Sequence, residues 1–77
     1  MATTIERVKK VTAELLGLDA ASIKDDARFI EDLGAKSVQT VELVAGFEEE
    51  FEIEMEEEDA LAAKSVAKAA ELIDACL

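Results

Sequence analysis

Phe29-Ile30-Glu31-Asp32-Leu33-Gly34-Ala35-Lys36-Ser37-Val38-Gln39-Thr40-Val41-Glu42-Leu43 contains the passage from a long loop into the best-defined helix of the chain. It tightens at Leu33-Gly34 and delivers Ser37 to the first turn of an amphipathic segment, where an N-cap hydroxyl normally sits. Capping alone would account for a serine there. The helix that follows gives Ser37 more to explain, because it turns carboxylates away from its apolar face.

That helix is expected from Ser37 to about Phe51. At about 100° per residue, Thr40, Val41, Leu43, Val44, Phe47 and Phe51 fall on one broad face, the expected core side. On the opposite face Val38, Glu42, Ala45 and Glu49 line up at successive turns, with Glu48 to one side and Gly46 to the other. Glu50 falls elsewhere. Small apolar residues between carboxylates, pointing outward from the residue that starts the helix, suit docking of a basic partner. An ordinary solvated face is the alternative.

Upstream, the pattern from Leu18 to Lys36 has no period, yet Leu18, Ile23, Phe29, Ile30 and Leu33 are too apolar for a free linker. They are expected to pin the connection to the core, and a connection this long is usually functional. Ser22 with Asp25 is expected to form a local turn, and Lys24-Asp25-Asp26 a solvated bend. Before it, Thr3 and Glu6 form a capping box for a first helix with Ile5, Val8, Val11 or Thr12, and Leu15 inward. Glu6, Arg7, Lys9, Lys10 and Glu14 cover its outer face, and Gly17 stops it.

Downstream, Glu52 to Asp59 is acidic but anchored by Ile53 and Met55. Glu56, Glu57 and Glu58 suit the start of a short helix through Ala60 and Leu61, where carboxylates complement the helix dipole. Ser65 then caps a last helix carrying Val66, Ala69 or Ala70, Ile73, and Cys76 or Leu77 inward. On that face Cys76 reads as a small core hydrophobe rather than a nucleophile. The expected fold is all-α, a small four-helix bundle with three longer helices, one short helix and a long first loop.

Composition limits what such a bundle can do. Seventy-seven residues are expected to make one domain spanning 1–77, without room for a core and a buried catalytic cleft together. At 51% apolar and 35% charged it is a folded chain rather than an acidic tail. The formal net charge of −11 opposes nucleic acid and favours basic protein surfaces. With no His and one Cys, zinc sites and Ser-His or Cys-His nucleophile pairs are not available, so no enzyme is expected. Asp25, Asp26, Glu31 and Asp32 lack the ligand spacing of a calcium loop, and no metal site is expected. Absence of a signal or membrane-length apolar run, with no disulfide partner for Cys76, leads to the expectation of a reduced, cytoplasmic monomer.

The residues resemble those of the acyl carrier proteins, small acidic four-helix proteins that carry acyl groups on a phosphopantetheine arm. The resemblance spans nearly the whole chain. It is strongest in Ile5-Glu6-Arg7-Val8-Lys9-Lys10-Val11, in Phe29-Ile30-Glu31-Asp32-Leu33-Gly34-Ala35, and in Thr40-Val41-Glu42-Leu43-Val44 with Phe47-Glu48-Glu49-Glu50-Phe51. It implies Ser37 as the attachment point of 4'-phosphopantetheine, with Val38, Glu42, Ala45, Glu48 and Glu49 docking to basic patches. The implied partners are a phosphopantetheinyl transferase and the acyl-processing enzymes of fatty acid or polyketide-type biosynthesis. An unmodified acidic interaction module, in which Ser37 is only a helix cap, is the rival reading. The chain departs from the family pattern at Lys36, Val38 and Gln39, where Asp, Leu and often an acid stand, at Ala45, often a larger apolar residue, and at Glu56, commonly proline.

Overall fold

The computed structural model describes residues 3–77. Four α-helices form in chain order: α1 Thr4–Leu16, α2 Ser37–Phe51, α3 Glu57–Ala62 and α4 Val66–Cys76. A single 3-10 turn, Ala20–Ser22, interrupts the long first connection. Three longer helices and one short one make the all-α bundle that the apolar periodicity predicts.

Local chemistry sets the ends of these helices. The Thr3 hydroxyl accepts from Glu6 N at 3.2 Å and donates to the Glu6 carboxylate, so the box is closed through side chains rather than through the Thr3 backbone. Gly17 ends α1 in the left-handed region at φ 71°, and Leu18 N bonds back to Ala13 O. Ser65 Oγ accepts from Lys68 N at 3.1 Å and starts α4. Asp19, not Ser22 with Asp25, organises the first loop: its carboxylate accepts from Ala21 N and its carbonyl from the Ser22 hydroxyl. Asp25 instead pairs with Lys9 on α1.

α1 runs antiparallel to both α2 and α4. Arg7 near its start meets Glu50 near the end of α2, and Thr4 Oγ1 donates to Asp74 near the end of α4 at 2.6 Å. Midway, α1 and α2 approach so closely that a Cβ on Gly46 would lie 2.9 Å from Val11 Cγ1. Val8, Phe29, Leu43, Phe47, Val66 and Ile73 fill the centre, where the Phe29 and Phe47 rings lie 6.0 Å apart, tilted by 39°. Thr12 is buried as well, its hydroxyl donating to Val8 O.

Several apolar residues expected inside lie outside. Ile30 is 48% and Val41 71% exposed, and Leu18 is also exposed. The buried stripe of α2 is narrower than its apolar face, because α3 has only six residues and reaches too little of α2 to cover Val41. Cys76 is exposed too, so it is no core residue. Asp74, two residues before Cys76, already lies level with the first residue of α1, which puts Cys76 at the end of the bundle.

Candidate functional site

Two backbone bonds stitch the first loop to the α3–α4 junction: Phe29 N to Lys64 O at 3.1 Å and Val66 N to Ala27 O at 2.9 Å. With Phe29 buried, the chain winds once from Arg28 to Ala35, closing through Leu33 N to Arg28 O, Gly34 N to Ile30 O and Ala35 N to Phe29 O. Gly34 makes the closure possible at φ 73°, a conformation that side-chain-bearing residues adopt at a cost. Arg28 locks the turn from outside. Asp32 accepts from Arg28 N at 2.9 Å and from its guanidinium at 3.3 Å, and Glu31 adds a second contact to the guanidinium at 3.5 Å. The backbone N–H and then the guanidinium of Arg28 hold the Asp32 carboxyl below the ordinary carboxylate range. A lowered folded value means that this contribution is lost only as pH falls through it, so the lock is intact at neutral pH.

Chain exiting this turn enters α2 one residue earlier than a serine cap would require. Lys36 holds the N-cap position and Ser37 is the first helical residue. The capping work comes from inside the helix, where Gln39 Oε1 accepts from Lys36 N at 2.8 Å, the return half of a capping box. Thr40 Oγ1 donates to Ser37 O at 2.6 Å and braces the same turn. The Ser37 side chain therefore does not cap α2, which corrects the reading of Ser37 as a helix cap. It is exposed, and among the described residues its hydroxyl has no hydrogen-bond partner.

With no base beside it, such a hydroxyl is not activated from within the protein. It is fit to receive a group that another protein activates and delivers. Among the described residues no group of His, Cys, Asp or Glu is placed to hold a metal ion.

Val38 is 68% exposed, and Glu42, Ala45 and Glu49 are exposed along the following turns. Glu48 differs. It is half-buried, and its carboxylate accepts from Met55 N at 2.9 Å, tying the α2–α3 loop to α2. Glu50, off the strip, is engaged by Arg7, whose Nε meets its carboxylate at 2.9 Å and whose Nη2 donates to its carbonyl at 2.8 Å. The strip straddles the crest of α2: Glu49 borders a groove toward Val11 and Leu15 of α1, and Ala45 and Glu48 border one toward α3.

The α3 side holds what the helical wheel misassigned. A cleft of about 340 Å³ runs between Val41, Val44 and Ala45 of α2 and Ala60 and Leu61 of α3. A second, of about 240 Å³, lies between Phe29, Ile30 and the same α3 residues. Thr40 lines both, one helical turn from Ser37, so apolar surface begins where the serine ends. The signal available in the sequence was an α2 apolar face too wide for the short helix beside it.

A family model described as the phosphopantetheine attachment site matches residues 6–73. Among solved structures, the chain is similar to the acyl carrier protein from Enterococcus faecalis, with a TM-score of 0.74 and 28% sequence identity over 99% of this chain and 100% of that one.

Proposed function

Because the chain belongs to the phosphopantetheine-attachment family and is an acyl carrier protein by fold, we propose that it carries acyl groups on a 4'-phosphopantetheine arm attached to Ser37. The observation that carries this reading is the Ser37 hydroxyl itself: exposed, free of any capping duty, and held on a braced helical turn beside apolar clefts. When attached, the arm supplies a thiol that holds an acyl group as a thioester. As a member of a carrier family it holds the group while its partners do the chemistry.

Each part of the site has a share in this role. The Arg28–Asp32 lock and Gly34 fix the turn that presents Ser37. The clefts under Thr40 accept an apolar chain and keep it from water. Val38, Glu42, Ala45, Glu48 and Glu49 form the face that basic transferases and acyl-processing enzymes approach, Glu48 with part of its capacity already given to Met55 N. Encounters across such a charged face are fast, brief and salt-sensitive, and the tether raises the acyl group's effective concentration at whichever enzyme has docked. The setting is a reduced, cytoplasmic one, with fatty acid or polyketide-type synthesis as the pathway class.

The test is modification in vitro with coenzyme A and a broad-specificity phosphopantetheinyl transferase, read by intact mass. Wild type should gain one arm and Ser37→Ala none. An adduct that persists in Ser37→Ala would place the arm elsewhere, and an unmodified wild type would return the chain to the interaction-module reading.

A further inference from the structure

Lys36 sits one Cα step, about 3.8 Å, from Ser37. Its surroundings leave its charge free. On a helix a lysine pairs with acids three or four positions away, but here those positions are Gln39 and Thr40, which are neutral and already bonded to Lys36 N and Ser37 O. The acids just upstream, Glu31 and Asp32, are held by Arg28. Arg7, Lys9 and Lys68 likewise have carboxylate partners; Lys36, exposed, has none among the described residues, as is true of Lys10, Lys24 and Lys64, and what sets it apart is its place beside Ser37. The fold does not use its side chain either, since capping at that position is done by Gln39.

The first outward carboxylate of α2 is Glu42, six residues on, or about 9 Å along the axis. That separation is about one Debye length at physiological salt, so a docked surface meets the ammonium and the carboxylates as separate poles. We propose that the face around Ser37 is bipolar, and that Lys36 is a specificity-determining contact selecting a transferase with a carboxylate opposite it and cations along Glu42 and Glu49. This rests on Ser37 being the attachment site. The occupant is a modifying enzyme of complementary charge, and an enzyme basic throughout its carrier-binding surface meets like charge at Lys36.

The experiment measures kcat/KM for arm transfer from coenzyme A to full-length wild type, Lys36→Arg, Lys36→Gln and Lys36→Asp. Two enzymes are used: the transferase from the chain's own source, and one whose carrier-binding surface is basic throughout. With the first, Lys36→Arg should keep the rate and Lys36→Asp should lose about tenfold or more, in KM rather than kcat, the loss shrinking as salt is raised. With the second, the order should reverse. Unchanged circular dichroism and Tm across the series would separate docking from folding. Equal rates for all variants with both enzymes, or a faster Lys36→Asp with the source's own transferase, would overturn the bipolar face while leaving Ser37 as attachment site. Failure of every variant to be modified would instead remove the Ser37 reading, and this inference with it.

Discussion

α1, α2 and α4 each bury three or four of their own residues, whereas α3 buries none. The three-helix wall is tied by side chains reaching across it, Arg7 to Glu50 and over the Phe51 ring at 4.2 Å, and Thr4 to Asp74. α3 is held mainly by its flanks: Ile53 and Met55 half-buried before it, Ala63 buried after it, and Glu48 bonded to Met55 N. The clefts lie on the α3 side. Stability and accessible apolar surface thus occupy different parts of a very small protein. Elements that bury few apolar residues open at low free-energy cost, so the α3 side is the part expected to yield first while the wall keeps the fold.

The sharpest way to break this comparison is to truncate one large residue in each region. Phe47 is fully buried, and Phe47→Ala should cost about 3–5 kcal/mol in urea denaturation, much of what a domain of this kind has. Leu61 is 69% exposed, and Leu61→Ala should stay within about 0.5 kcal/mol. Comparable losses at both positions would place α3 in the core after all.

A finer test lies within the wall. Gly46→Ala would ordinarily gain about 1 kcal/mol in a helix interior. Here the new Cβ would meet the γ-carbon of Val11 at 2.9 Å, and a β-branched side chain in a helix has little freedom to turn away. The steric cost should exceed the propensity gain and leave a net loss of about 1 kcal/mol. Combining it with Val11→Ala should make the pair less destabilising than the sum of the single changes. A Gly46→Ala protein that is more stable on its own would show that α1 and α2 can part without penalty.

The regions also differ in how far they could be read from the residues. Thr3, Gly17 and Ser65 mark helix ends by rules that act within a few residues, and the Leu43–Phe47–Phe51 stripe needs only helical period; all of these hold in the fold. What the sequence leaves open depends on what lies across from a side chain. Val41, Ile30 and Cys76 are apolar at suitable spacings, but whether a neighbour covers them depends on the length of α3 and on where α1 starts. The anchoring of Glu48 by the loop seven residues on, and of Glu50 by Arg7, has no local signature. At the site itself, exposure of Ser37 was legible. The transfer of its expected capping role to Gln39 was not, because a one-residue shift of the helix start turns on a reciprocal bond that a serine cap would have made redundant.

The smallest expected effect lies at the joint between the two regions. Glu52 ends α2 in the left-handed region at φ 54°, and it is non-glycine where Gly17 does the same job for α1. A side chain bearing a Cβ is strained in that conformation, and glycine there removes the strain while adding freedom to the unfolded chain. Strain relief should win, so Glu52→Gly should raise stability by about 0.5–1 kcal/mol. The change also removes a charge from a protein of formal net charge −11, and that alone could help by reducing self-repulsion. Glu52→Gln separates the two causes, since it removes the charge and keeps the Cβ. If glycine stabilises and glutamine does not, the gain comes from the backbone at the joint. If both stabilise equally, it comes from charge, and added salt should then raise the Tm of wild type more than that of either variant.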